Sequence, residues 1–316
     1  MRVLITGGAG FIAHHLAAAL LRNQAEVVLL DNFNDFYDPE IKRRNVRDLQ
    51  SSGAVPIHAI DILDQENLRR VYSQIRPDVV VHLAAWAGVR PSLKSPALYS
   101  AVNVTGTVNL LELAREFSTG CFILGSSSSV YGGNTKVPFS ENDPVDRPVS
   151  PYAATKRAAE LLCHTYACNF GMHITCLRFF TVYGPRQRPE MAIYKFARLM
   201  NEGKEIPIFG SGESRRDYTY VEDIVSGILG AIEVNPGFEI FNLGESQTIT
   251  LMEMVRHLED ALGAKALLRF LPDQPGDMAI TCADIDRARR ILGYSPQKPF
   301  KEGIRLFADW FKNNLQ

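Results

Sequence analysis

Apolar residues recur along this chain in two rhythms, and their alternation predicts the fold. Short, mostly apolar runs rich in valine, isoleucine and leucine occupy residues 3–6, 26–31, 55–60, 78–83 and 121–126. Each is short for a helix and too continuously apolar to show one face to water, so each reads as a strand buried on both faces. Between them the period lengthens to that of a helix, at 11–22, 64–75 and 96–117. Strands alternating with helices join by right-handed crossovers into a parallel sheet covered on both sides. The fold class read from this pattern is α/β, a Rossmann-type doubly wound parallel sheet.

Beyond residue 131 the rhythm loosens. Glycine, asparagine, proline and aspartate at 132–150 mark a loop, followed by a helix at 151–170 and a strand at 174–180. Later helices are expected at 192–202, 221–234, 251–262 and 300–313, with strands at 206–209 and 239–243. The strand at 239–243 has the character of a buried one and is expected back in the main sheet, which makes the second lobe discontinuous. The expected division is a sheet domain of residues 1–180 plus about 215–245, and a smaller second lobe of about 181–214 and 246–316.

Composition narrows the partners. The 34 Lys and Arg against 35 Asp and Glu give a formal net charge of −1, which removes the general attraction that nucleic-acid binders rely on. No apolar run is long enough to span a membrane. Met1-Arg2 leads straight into a strand rather than into the layout of a signal peptide. Five cysteines without a CxxC pair form neither a metal-ligand set nor a secreted disulfide framework. These features predict a cytoplasmic protein that takes no metal, nucleic acid or membrane as partner. Charge is nevertheless unevenly spread: Arg178, Arg186, Arg188, Lys195 and Arg198 face one nearby acid, Glu190, a pattern that predicts a site for small anions.

The first candidate chemistry lies where the first strand meets the first helix, in Gly7-Gly8-Ala9-Gly10-Phe11-Ile12-Ala13. Gly7 permits a tight turn, and Gly10 lets the backbone approach a pyrophosphate at the positive helix N-terminus. Asp31 ends the second strand, where a carboxylate accepts hydrogen bonds from an adenosine ribose and repels a 2′-phosphate. Asn32 and Asn34 follow, without an arginine to receive such a phosphate, so NAD is favoured over NADP. Asp61 and Ile62 would lie near the adenine, or else form part of a helix N-cap region.

The second is Ser150-Pro151-Tyr152-Ala153-Ala154-Thr155-Lys156, which reads as a helix start with Ser150 as N-cap. Tyr152 and Lys156 then share one helix face. A tyrosine, with an ordinary pKa near 10, becomes a base at neutral pH only if cations nearby favour its phenolate. Ser126-Ser127-Ser128-Ser129 leaves the end of the fifth strand, where ligands collect in such sheets.

With these pieces the sequence resembles the extended short-chain dehydrogenase/reductase family over nearly its whole length. Further matching residues are His82-Leu83-Ala84-Ala85, Asn103 with Gly106, Tyr131-Gly132, and Arg216-Asp217-Tyr218. The resemblance implies that Tyr152 is the catalytic base, that Lys156 holds the nicotinamide ribose and that Ser127 is the catalytic serine. It also implies that Leu83, Ala84, Ala85 and Asn103 line the cofactor. Long paired helices such as 96–117 and 151–170 form a four-helix interface in relatives, which implies a homodimer.

Within that family, dehydratases and decarboxylases of sugar nucleotides follow the catalytic Ser/Thr with acids, whereas Ser128 and Ser129 stand here. Simple epimerisation is the reading that remains, through a transient 4-keto sugar. Several stretches are similar to UDP-glucuronate 4-epimerases: residues 31–39, Ala87-Gly88-Val89-Arg90, and residues 179–185 running on to 188–192. That likeness implies a UDP-sugar substrate met by Arg90, Ser127–Ser129 and Thr181. Arg188 is the first choice for a glucuronate carboxylate; an ion pair with Glu190 or contact with the diphosphate are its alternatives. Arg216 is the phosphate candidate, Pro207 and Phe209 would border the uracil, and Asp277 would hold the UDP ribose. Arg186-Gln187 stands where those epimerases more often carry an aromatic-Gly pair, so a UDP-glucose or UDP-N-acetylglucosamine 4-epimerase stays open. The other classes are a net NAD-dependent oxidoreductase of sugar nucleotides and a non-catalytic NAD-binding protein.

Overall fold

Seven parallel strands build the central sheet of the computed structural model, which describes residues 1–51, 53, 55–272 and 278–314. Across the sheet they run Ile57–Ala59, Glu26–Asp31, Arg2–Thr6, Val79–His82, Cys121–Ser127, Ile174–Phe179 and Phe238–Leu243. Ile5 lies in register with Leu29 on one side and Val81 on the other. Alternation of side chains divides the sheet's residues between two layers: Val3 and Ile5 pack into one, Leu4 into the other. All three are fully buried, which explains why the strands read as unbroken apolar runs.

Phe11–Arg22 and Val221–Val234 cover one face. Gln65–Ile75, Gly106–Glu116 and Pro151–Phe170 cover the other. The chain reverses direction across the sheet between Arg2–Thr6 and Val79–His82. The loops leaving those two strands diverge and open a crevice at their carboxyl ends. As expected, the late strand Phe238–Leu243 returns to the sheet, beside Ile174–Phe179.

Three departures from the sequence reading bear on function. The helix expected at 96–117 is interrupted by a π turn at Ala101–Thr105, between Pro96–Ser100 and Gly106–Glu116. An unexpected helix at Pro39–Ser51 buries Lys42 and Asn45 beside Val46 and Leu49, so its inner face lacks a clean apolar period. Short strand pairs form outside the central sheet: Thr181–Tyr183 with Tyr218–Tyr220, and Arg215–Arg216 with Ile249–Thr250. Two or three residues are too few to carry a period. Glu205–Phe209 pairs with Leu267–Leu271. No described helix is long and apolar enough to cross a membrane.

Candidate active site

A cleft of about 380 Å³ opens at the crevice between the diverging loops. Gly7 forms its floor at φ +66°, and a Cβ there would lie 2.8 Å from the Ala84 nitrogen. Only glycine lets these two loops meet so closely. Gly10 caps the helix Phe11–Arg22 without a side-chain bond, and the first turn holds no acid. Its free N–H groups and positive dipole end therefore face the cleft, where Gly10, Phe11 and Ile12 line the wall. A helix start of this kind can cradle a diphosphate.

Asp31 lies at the rim with its carboxylate anchored from both sides. Its Oδ2 accepts from the Ala9 nitrogen at 3.1 Å and its Oδ1 from the Phe33 nitrogen at 2.8 Å. Each oxygen keeps a lone pair for a ribose hydroxyl. Asn32 donates to Asp61 Oδ2 at 2.7 Å, tying the loops after the second and third strands. Asp61 is thus not the N-cap of the next helix; Asp64 takes that place, accepting from the Asn67 nitrogen. Asn34, Asp61 and Ile62 also line the cleft. Lys42, unforeseen from the sequence, enters here with its ammonium donating to the Asn34 carbonyl and to Asn34 Oδ1, both at 2.9 Å. Asp38-Pro39 opening its helix was the available signal, since proline favours a first helical turn.

A neutral histidine organises the loop that carries Leu83, Ala84 and Ala85. His82 is fully buried, and burial lowers its pKa to about 3. Its Nδ1 accepts from Thr6 Oγ1 at 2.7 Å, and its Nε2 donates to Thr107 Oγ1 at 3.0 Å. The roles are set by the neighbours, because Thr107 gives its own proton to the Asn103 carbonyl at 2.7 Å. Thr6 Oγ1 in turn accepts from the Ala84 nitrogen at 3.3 Å. Asn103, on the π turn, grips Trp86 through both backbone groups, at 2.8 and 3.0 Å, and donates to Thr155 at 3.1 Å. Its side chain therefore braces the loop from behind instead of lining the cleft, and the π turn places it there.

Ser150 caps the helix Pro151–Phe170 by accepting from the Ala153 nitrogen at 3.1 Å, as its sequence predicts. Tyr152 and Lys156 point from that helix into the cleft, beside Ser127, Ser128 and Ser129. Burial raises the Tyr152 pKa, while a hydrogen bond from Ser127 and the charge of Arg188 pull it back down. The Lys156 ammonium donates to the Gly125 carbonyl at 2.7 Å. Burial brings its pKa down to about 8 against the opposing pull of Glu160. Glu160, one turn further on, is fully buried between Ser126 and Arg178. It accepts from Ser126 at 2.6 Å and from two nitrogens of Arg178 at 2.9 Å each. These bonds, invisible to periodicity, tie the helix Pro151–Phe170 to the strand Cys121–Ser127, which carries Gly125, and to its neighbour Ile174–Phe179.

The basic cluster foreseen between 178 and 198 is dispersed by the fold. Arg178 is sealed against Glu160, Arg186 pairs with Asp48 at 2.7 Å, and Arg198 approaches Glu202 at 3.8 Å. Arg188 alone of the five lines the cleft, together with Thr181. Neighbours in sequence point different ways once strand, turn and helix separate them. Arg90, Pro207, Phe209 and Arg216 lie outside this cleft. Arg90 stacks its guanidinium 5.2 Å from the Phe209 ring. Arg216 sits in the strand paired with Ile249–Thr250 and donates to the Arg215 carbonyl at 2.9 Å. Asp277 lies outside the described residues.

Residues 3–244 match the NAD dependent epimerase/dehydratase family. The UDP-glucuronate 4-epimerase of Thermodesulfobacterium geofontis is 40% identical over 314 residues, spanning 99% of this chain and 97% of that protein. The fold is similar to the UDP-glucuronic acid 4-epimerase of Bacillus cereus, solved with UDP-glucuronic acid and NAD, at a TM-score of 0.93, 38% identity and 99% of each chain. It also resembles the UDP-glucose 4-epimerase of Thermotoga maritima, solved with UDP-glucose, at 0.92, 32% and 100% of each. On its match to the family over residues 3–244 and its full-length relatives, the chain belongs to the NAD dependent epimerase/dehydratase family.

Proposed function

We propose that the protein is a UDP-glucuronate 4-epimerase, interconverting UDP-glucuronate and UDP-galacturonate with NAD as resident cofactor. One observation carries the reading: a single Tyr152/Lys156 pair shares its cleft with Arg188, and the only carboxylates among the described lining residues are Asp31 and Asp61. Asp61 accepts from Asn32, in the loop after Asp31, while Asp31 accepts from the backbone of Ala9 and Phe33, and neither charge acts on Tyr152. No acid is supplied for elimination or decarboxylation, whereas an epimerisation needs one group to take and return one proton. The UDP-glucuronate reading draws on the relatives' substrates.

The residues fit the cofactor. Gly7 and the uncapped helix start at Gly10 would hold its diphosphate, Asp31 its adenosine ribose and Lys156 its nicotinamide ribose. When bound, NAD supplies a nicotinamide that takes a hydride from the sugar and gives it back. Tyr152 takes the proton from the 4-hydroxyl oxygen and later returns it to that oxygen. Ser127, hydrogen-bonded to the phenol, eases its ionisation, as does the positive charge of Arg188. Lys156, as a buried ammonium, adds positive charge to the same side. Arg188 and Thr181 meet the sugar carboxylate, where a planar guanidinium matches a carboxylate in two parallel bonds. Arg90, Pro207, Phe209 and Arg216, outside this cleft, and Asp277, outside the described residues, are assigned to the uridine and diphosphate on the resemblance to UDP-sugar epimerases alone.

Five free thiols agree with a cytoplasmic setting. The exposed Leu98, Leu161 and Phe170 on the helices Pro96–Ser100 and Pro151–Phe170 support a homodimer through those helices. Light scattering that returns the monomer mass of 35.2 kDa would refute the dimer. The function is tested with purified protein and no added cofactor. UDP-glucuronate should be epimerised well ahead of UDP-glucose, and Tyr152→Phe should abolish turnover while keeping UDP-sugar binding. Equal rates on the two sugars, or a preference for UDP-glucose, would replace the acid substrate with a neutral hexose.

A further inference from the structure

Arg188 is held on three sides. Its Nε lies 3.1 Å from Glu190 Oε1, one terminal nitrogen lies 3.5 Å from Met191 Sδ, and its Cζ sits 5.7 Å from the centre of the Phe36 ring. Phe36 and Met191 line the cleft, but Glu190 does not. The three holds differ in kind. Glu190 is a charged acceptor acting from outside the cleft, Phe36 offers a ring to the flat guanidinium, and a thioether accepts hydrogen bonds only weakly. The terminal nitrogens therefore meet no strong acceptor on the cleft side among the described residues.

Phe36 is itself fixed. It packs edge-on against Trp86 at 5.3 Å, Trp86 lies 6.2 Å from Tyr99, and Tyr99 lies edge-on 6.2 Å from Tyr152. One aromatic wall thus runs from the guanidinium to the catalytic tyrosine. Trp86 is further clamped by Asn103. An arginine that rests on this wall keeps a set distance from the reacting end of the cleft, provided its long side chain does not swing away.

We propose that Glu190 is a positioning residue for Arg188: its carboxylate pairs with the Nε side of the guanidinium from outside the cleft, so that the terminal nitrogens present a two-pronged edge to a carboxylate on the sugar. A guanidinium offers five N–H donors in a rigid fork, and occupying Nε still leaves a complete bidentate edge. The pair is half-exposed, with side-chain exposures of 24% for Arg188 and 38% for Glu190. Such a pair adds little to global stability. Its value lies in immobilising a flexible side chain before the ligand arrives. The inference rests on the assignment of Arg188 to an acidic sugar.

The test compares Glu190→Ala and Glu190→Gln with the parent enzyme, using calorimetric Kd values for UDP-glucuronate and UDP-glucose and steady-state kinetics on UDP-glucuronate. Glu190→Ala should lower the binding preference for the acid sugar roughly five- to tenfold, the scale of ordering one long side chain. It should raise KM with kcat held within about twofold, because the hold acts on binding. Glu190→Gln keeps the shape but not the charge of the ion pair and should recover only part of the loss. Tighter UDP-glucuronate binding in both variants would overturn the proposal and make Glu190 a competitor for the arginine. Equal weakening of both sugars would also overturn it, as a merely structural effect. Arg188→Met separates the two layers of argument. If it leaves the preference untouched, the acid-substrate assignment falls and the inference with it. If it abolishes the preference while Glu190→Ala does not, only the positioning role falls.

Discussion

The buried His82 makes the folded protein sensitive to acid by an amount that can be worked out in advance. In the fold its imidazole stays neutral down to about pH 3, because burial penalises the cation and both ring nitrogens are already matched to Thr6 and Thr107. In the unfolded chain it protonates near its ordinary value of 6.5. Between those values the unfolded state binds more protons, so stability falls as the pH drops below 6.5. At pH 5 the unfolded chain has gained about 2 kcal/mol from this one group relative to pH 8. His14, with its pKa lowered to about 3, and His15, lowered to about 4, act in the same direction. Replacing His82 with glutamine isolates its share, since the amide can still donate to Thr107 and the other histidines remain. Urea unfolding followed by circular dichroism at pH 8 and pH 5 should show the parent losing about 2 kcal/mol more than His82→Gln over that interval. The constant cost of the substitution cancels in this difference. Parallel losses, agreeing within about 0.5 kcal/mol, would refute the buried neutral histidine.

Three further outcomes follow from the same geometry. Glu160→Gln leaves the buried Arg178 without its carboxylate and should cost about 3–5 kcal/mol in urea unfolding, with a loss under about 1 kcal/mol counting against a desolvated pair. Gly7→Ala should strip resident cofactor from the purified protein, because the turn needs φ +66° and the new Cβ would meet Ala84; an unchanged absorbance ratio at 260 and about 280 nm would contradict the cradle. Lys156 should impose an alkaline limb on kcat/KM near pH 8 as its ammonium is lost, and activity that stays flat to about pH 10 would deny it that role. The same lowered pKa acts oppositely on stability: between about 8 and the ordinary 10.5 the unfolded state holds more protons, so this group favours the fold as pH rises.

Much of the site was legible because its groups are fixed by local rules. Gly7 and Gly10 follow from a strand meeting a helix, Asp31 from the end of the next strand, and Tyr152 with Lys156 from one helix turn opened by Ser150. Lys42 and Glu160 were not legible, since a polar residue turned inward leaves no apolar period, only a gap in one. Asn103 was found but its task was not. The π turn that directs its side chain to Trp86 depends on contacts with Thr155 and a loop far away in the chain.

The charges show the division most clearly. From residue order alone, Arg178 through Arg198 form one basic cluster for an anion. In the fold, Arg178 closes a buried pair, Arg186 reaches Asp48 and only Arg188 turns to the cleft. Periodicity and turn chemistry act over a few residues, so the sequence by itself determined the sheet, its glycine turn and the Tyr152/Lys156 face. An arginine's role depends on which carboxylate is nearest in space and whether water reaches them both, and only the tertiary structure decides that.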